Sequence, residues 1–210
     1  MKAIFLDKDG TLIENVPGNA DPARIRLLPG AVQGLTRLRE LGYALIVVTN
    51  QPGIAFGQFD EPALGAAHAH LHRLLAARHV ALSGIYYCPH HPDGHVAPYA
   101  ITCACRKPAP GLLLAAAARH GIDLRRSWMI GDILNDVEAG MCAGCQTILL
   151  DNGHETEWID SPWRRPHHLA PDLAAAARII GADAGRTRHA PGPAAPRALA
   201  LRMNFFRRRE

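Results

Sequence analysis

Short, wholly apolar runs alternate along this chain with stretches whose apolar residues recur at helical spacing, and little else constrains its fold as strongly. Residues 2–6, 43–48, 85–87, 128–130 and 147–150 read as strands. Residues 31–41, 61–79, 110–120, 135–143 and 172–180 read as helices, with Val32, Leu35, Leu38 and Leu41 forming one face of the first. Gly42 and Gly121 follow two of these helices, where a helix stop favours glycine. Strands without polar alternation are covered on both faces. The pattern therefore predicts an α/β fold, a Rossmann-like three-layer parallel sheet with helices on both faces. Ligands of such sheets bind beyond the carboxyl ends of the strands. The polar residues at those ends are Asp7 and Asp9, Thr49 and Asn50, Cys88 and His90, and Gly131 and Asp132.

Hydrophobic residues make up 48% and charged residues 20% of the 210, which excludes a wholly disordered chain, a coiled coil or a collagen-like rod. No apolar run is long enough to predict a membrane-spanning helix. The opening segment stops being apolar at Asp7, too short for a signal-peptide core, so a cytoplasmic location is expected. Residues 184–210 hold seven arginines against Glu210, a net +6; the chain total is +4, so residues 1–183 carry −2. The basic character thus belongs to the end of the chain, and nucleic acid is not an expected partner of the body. Composition divides the chain into a folded domain at 1–183 and a tail at 184–210. Within that tail, 184–197 reads as a Pro-interrupted linker and 198–210 as a short basic segment, together expected to be disordered. Five cysteines, an odd count, point to metal ligation rather than a disulfide framework.

Asp7-Lys8-Asp9-Gly10-Thr11 directly follows the first strand. One carboxylate there can attack phosphorus. The other can protonate the leaving oxygen and then deprotonate water. Two acids so close call for a cation, and Mg²⁺ suits oxygen ligands. Thr49 at the end of the second strand can donate to a phosphoryl oxygen, Lys107 in Arg106-Lys107-Pro108 can neutralise charge, and Asp132 and Asp136 can serve a metal shell. These four motifs, in this order, resemble those of the haloacid dehalogenase superfamily of phosphotransferases. The resemblance implies Asp7 as nucleophile and metal ligand, and Asp9 as acid/base with its backbone carbonyl on the metal. It also implies Thr49 and Lys107 as holders of the phosphoryl group, Asp132 as a Mg²⁺ ligand and Asp136 as support behind it.

Between the second and third motifs lie Cys88-Pro89-His90 and Cys103-Ala104-Cys105. Three thiolates and one imidazole form a closed tetrahedral zinc set, hence a structural site that pins the loop delivering Arg106 and Lys107. His91 and, less well placed, His95 are alternatives to His90. The stretch 86–111 resembles the D-glycero-D-manno-heptose-1,7-bisphosphate 7-phosphatases; the histidinol-phosphate phosphatases share the zinc loop in shorter form. The resemblance implies a Mg²⁺-dependent phosphatase without a large cap, acting as a monomer on a small phosphorylated sugar or alcohol. The substrate would be read by Asn15, Gly18, Asn50, Gln51 and Arg106 beside Thr49 and Lys107. Phe56 and Ile133 stand where such enzymes often carry arginine and lysine, which keeps histidinol phosphate or another small phosphomonoester in view as substrate. A DNA 3′-phosphatase and a phosphorylatable receiver domain fit less well. Cys142 and Cys145 read as small buried thiols, and His68 and His72 as surface helix residues. Trp158 and Trp163 read as packing a loop, residues 152–155 included, over the sheet end.

Overall fold

The computed structural model of the protein describes residues 1–186. Six parallel strands form one sheet in the order β3-β2-β1-β4-β5-β6. They are β1 (Ala3–Leu6), β2 (Ala44–Asn50), β3 (Gly84–Cys88), β4 (Trp128–Gly131), β5 (Gln146–Leu150) and β6 (His168–Ala170). Five α-helices connect and flank them: α1 (Ala31–Glu40), α2 (Glu61–Ala76), α3 (Gly111–His120), α4 (Leu134–Ala143) and α5 (Leu173–Arg186). The expected α/β architecture is present.

Successive residues of a strand point to opposite faces, and the buried clusters follow that rule. Ile4 and Leu6 of β1, Leu45 and Val47 of β2, and Ile130 of β4 pack with Leu35 and Leu38 of α1, Leu71 of α2 and Ile180 of α5. Ala3 and Phe5, Ile46 and Val48, and Met129 pack instead with Leu112, Leu113 and Ala116 of α3 and Ala139 of α4. The sheet is thus sealed on both faces, and its open chemistry is confined to its ends. Strand order reverses at β1, which pairs with β2 on one side and β4 on the other. The crevice beyond β1, β2 and β4 is the place where such a sheet accepts a ligand.

Helix α1 packs closely on α5. A Cβ on Gly34 would stand 2.5 Å from the carbonyl oxygen of Leu173. That neighbour is backbone, so it cannot rotate away. Gly34→Ala is expected to destabilise the fold by about 1–3 kcal/mol despite alanine's better helix propensity. A melting temperature equal to or above that of the parent would show the two helices can separate freely.

Two sequence expectations need correction. The edge strand β6 was not predicted: it has three residues and only Ala170 is buried, so it leaves no apolar run. The last helix does not stop at 180 but continues through Arg186, taking in the first three residues assigned to the linker. Gly181 and Gly185 lower helix propensity without ending it. The remaining tail, 187–210, lies outside the described residues. Among the described residues no helix is long and apolar enough to cross a membrane.

Candidate active site

The turn after β1 supplies the first group. The Asp7 N–H donates to the Ile130 carbonyl at 3.0 Å, extending the β1–β4 ladder by one residue before the chain turns. Gly10 turns it with φ +82°, and a Cβ there would collide with Asp132 Oδ2. The glycine is therefore required twice, by backbone conformation and by the approach of the fourth motif.

Lys107 is buried at the centre. Its ammonium contacts Asp7 Oδ1, donates to Asp136 Oδ1 at 2.6 Å and donates to the Val48 carbonyl at 2.9 Å. Three protons thus meet three acceptors. Asn50 clamps the same residue at its backbone: Oδ1 accepts from Lys107 N and Nδ2 donates to Lys107 O, both at 3.0 Å. Both ends of the Asn50 amide are thereby committed to placing the lysine. Asp7, Asp132 and Asp136 bring carboxylate oxygens within 4.8 Å of one another. Burial first, and then the neighbouring Asp7 charge, push Asp132 up to about 7. Burial likewise lifts Asp136 to about 7, against the pull of Lys107. One ammonium does not balance three carboxylates. An all-oxygen, under-compensated donor set of this kind fits a hard dication such as Mg²⁺.

Asp9 stands beside this cluster and is tied to β2. Gln51 Nε2 donates to Asp9 Oδ2 and to Thr49 Oγ1, each at 2.9 Å. Burial raises the Asp9 pKa, while the Lys8 ammonium, 3.4 Å away, pulls it down. Lys8 is 2% exposed. It was passed over in the sequence as the spacer of the D-x-D motif, where a side chain pointing outward is the ordinary expectation.

A cavity of about 170 Å³ is floored by Asp7, Thr49, Lys107 and Asp132 and walled by Asp9, Asn15, Asn50 and Ile133. It shares Asp9, Asn15 and Asn50 with a second cavity of about 350 Å³. That larger space is lined by Asn15, Asn19 and Gln58, by Asn50 and Gln51, whose amide nitrogens donate to Lys107 O and to Asp9 and Thr49, by the Gly18 turn and by Phe56 and Phe59. Neither lining includes a lysine or arginine beyond Lys107. Arg106 donates to the His90 carbonyl at 3.4 Å and lines neither space.

β3 ends at Cys88, and the loop beyond it closes on itself. The sulfurs of Cys88, Cys103 and Cys105 lie 3.2–3.5 Å apart, and His90 Nδ1 is 3.6 Å from Cys88 Sγ and 3.5 Å from Cys105 Sγ. The edges of a zinc tetrahedron with such ligands measure about 3.7 Å, so the set fits Zn²⁺ with slight expansion. Burial raises the Cys88 and Cys105 thiols, a cost that a bound dication would offset. His91 and His95 are elsewhere: both rings pack on Phe56, at 4.8 and 5.6 Å between centroids. Phe56 thus joins the loop after β2 to the metal loop, which accounts physically for an aromatic residue there. Cys103→Ser is expected to weaken zinc retention by about 100-fold or more, since losing even an outer partner costs about 10–100-fold. KM should rise more than kcat falls, because the loop that carries Lys107 loosens. Full zinc content after dialysis against a chelator would contradict this assignment.

Other expectations shift. His68 is partly buried against the Tyr87 ring, 5.6 Å away, with Nε2 buried and unpartnered, and burial lowers its pKa to about 4. Cys142 is exposed and only Cys145 is buried. Trp158 and Trp163 are more than half exposed. Asn152, His154 and Glu155, between β5 and β6, supply the hydrogen-bonded contacts to the site. A local Asn-Gly pair reads as a turn, and nothing nearby reveals that Asn152 has its partner 142 residues earlier.

A parallel sheet whose central strand ends in a D-x-D-G-T turn, facing a lysine and a second acidic pair, defines a haloacid dehalogenase-type phosphoric monoester hydrolase. A family profile described as HAD-hydrolase-like matches residues 104–176. A D-glycero-beta-D-manno-heptose-1,7-bisphosphate 7-phosphatase from Yersinia pestis is 43% identical over 148 residues, covering 70% of this chain and 79% of the relative. A HAD-like phosphatase structure from Mesorhizobium loti matches with TM-score 0.74 and 35% identity, over 86% of this chain and 87% of that one. The D,D-heptose 1,7-bisphosphate phosphatase from B. bronchiseptica, solved with magnesium and phosphate, matches with TM-score 0.72 and 33% identity, over 87% of this chain and 99% of that one. The chain belongs to the heptose-1,7-bisphosphate 7-phosphatase family of the haloacid dehalogenase superfamily.

Proposed function

We propose that the enzyme removes the 7-phosphate of D-glycero-D-manno-heptose 1,7-bisphosphate through an aspartyl-phosphate on Asp7. The observation carrying this reading is that the cavity over Asp7 and Lys107 shares Asp9, Asn15 and Asn50 with a neighbouring cavity of about 350 Å³ whose lining is rich in amide side chains. Such a wall suits a neutral, hydroxyl-rich sugar body. The Yersinia pestis relative lends the substrate its name.

In the first step an Asp7 carboxylate oxygen attacks phosphorus in line while the bond from phosphorus to the sugar oxygen breaks. Asp9, whose pKa burial raises, gives its proton to the departing alkoxide. In the second step Asp9 takes a proton from water, which attacks the phosphorus and frees inorganic phosphate and Asp7. Thr49 donates to a phosphoryl oxygen, and Gln51 keeps Thr49 and Asp9 in register. Lys107 offsets the charge of Asp7 and Asp136 throughout. Asp7 and Asp132, with the Asp9 carbonyl, would hold Mg²⁺, which when bound screens the negative charge shared by phosphate and carboxylates. Zn²⁺ on Cys88, His90, Cys103 and Cys105 is structural in this reading. Residues 1–183 make up the phosphatase domain, whose last helix runs on to Arg186.

A second reading, a phosphomonoesterase for histidinol phosphate or a similar small substrate, is favoured by the larger cavity, whose lining carries no cation to grip a second phosphate. Phosphate release with Mg²⁺ decides between them, using both anomers of the heptose bisphosphate, fructose 1,6-bisphosphate, histidinol phosphate and a 3′-phosphorylated oligonucleotide. The heptose is expected to lead in kcat/KM by about 100-fold, the range that a few well-placed hydrogen bonds supply. A monophosphate that equals it would replace the first reading with the second.

A further inference from the structure

Residues 152–155 reach three separate parts of the catalytic floor. Asn152 Nδ2 donates to the Gly10 carbonyl at 2.8 Å, inside the D-x-D-G-T turn. His154 Nδ1 stands 2.7 Å from Asp132 Oδ2. Glu155 Oε2 accepts from Leu134 N at 2.6 Å, at the first residue of the helix that carries Asp136. Glu155 is itself braced by the Glu157 N–H, which donates to its other oxygen at 2.8 Å.

These contacts bear on how Asp132 is oriented. Its Oδ1 accepts from Thr11 Oγ1 at 3.2 Å, and its Oδ2 faces His154. The two partners come from different segments and fix the plane of the carboxylate. Carboxylate oxygens of Asp132 and Asp7 also lie within 4.8 Å of each other. As an ionised metal ligand Asp132 can only accept, so Nδ1 would carry the hydrogen of this contact, on a ring that is 34% exposed.

We infer that His154 is a positioning residue for the divalent cation, holding Asp132 in its ligating orientation as part of a 152–155 clip across the site. The inference rests on the reading of Asp7 and Asp132 as the magnesium ligands. A carboxylate already fixed loses no rotational freedom when the cation arrives. Partners behind a metal ligand commonly contribute about 10–100-fold in affinity.

The test uses the full chain with its zinc and no substrate. Unfolding temperature is followed against magnesium chloride, since a ligand bound only by the folded state raises it in proportion to its affinity. His154→Ala is expected to weaken the apparent magnesium constant about tenfold or more. His154→Asn, whose amide can stand where Nδ1 stands, is expected to return it to within about threefold. The one-third exposure of the ring lets alanine be accommodated. A merely structural histidine would lower the unfolding temperature without magnesium and leave the magnesium constant unmoved; that result overturns the inference and leaves the proposed reaction standing. A wild type that fails to cleave the heptose, with the titrations as expected, removes the substrate reading and leaves the inference. A wild type whose unfolding temperature ignores magnesium overturns both.

Discussion

Asp7→Asn protein is expected to lose phosphatase activity by about 10⁴-fold or more, the scale set by removal of a covalent nucleophile. An amide oxygen is too weak a nucleophile to form the phospho-enzyme, and the other groups of the site cannot substitute for it, because each is committed. Lys107 is fully hydrogen bonded, Asp136 is bound to that lysine, and Asp132 is turned toward Thr11 and His154. The fold should survive. Removing one of three crowded carboxylates relieves repulsion, and Asn can still accept from Lys107 through its carbonyl oxygen. Zinc content should be unchanged, since none of its four ligands touches Asp7. The check is a phosphate-release assay beside a melting curve and a zinc determination. Substantial turnover by a properly folded Asp7→Asn protein would mean that the attacking atom lies elsewhere.

Lys107→Met is expected to cost stability as well as rate, about 3–5 kcal/mol, the usual consequence of taking one partner from a buried ion pair. Its removal leaves Asp136, fully buried, and Asp7 facing each other with no cation between them. For a domain of this size that amounts to roughly 10 °C in melting temperature. Magnesium should return part of the loss, because a dication at the carboxylates supplies some of the missing charge. Lys107→Met combined with Asp136→Leu should be more stable than Lys107→Met alone yet equally inactive, since the second change removes the stranded acid. Calorimetry of the parent and the two variants, with and without magnesium, provides the measurement. A single variant that melts within a degree or two of the parent would show that water, not Lys107, balances these acids.

The architecture was legible because the central strands are apolar on both faces, and each ends in a polar residue at the register where pairing stops. β1 is the clear instance: four buried residues and then Asp7. β6 lacked that signature because an edge strand buries one face only, and its exposed Leu169 and His168 look like loop. The four motifs could be read because each is compact in sequence and its chemistry is carried by the residue type. Lys8 and Asn50 were harder. Their roles depend on where a side chain turns once the sheet has formed, inward beside Asp9 for one and back onto the Lys107 backbone for the other. The 152–155 clip was illegible for a related reason. Asn, Gly, His and Glu in a turn are unremarkable, and their partners belong to the first and fourth motifs.

The order in which the chain is made bears on when it can work. Lys107 meets Asp7 across a separation of 100 residues, Thr11 meets Asp132 across 121, and Asn152 meets Gly10 across 142. None of these contacts can form locally, and each must await closure of a long loop. During synthesis, therefore, the first motif emerges early but has no partners. A nascent chain halted before β4 would display the acidic turn without Asp132 or Asp136, and one halted before Asn152 would lack the clip. The chain becomes a phosphatase late, when nearly the whole sheet has left the ribosome, so incomplete products carry the nucleophile without the surroundings that make it one.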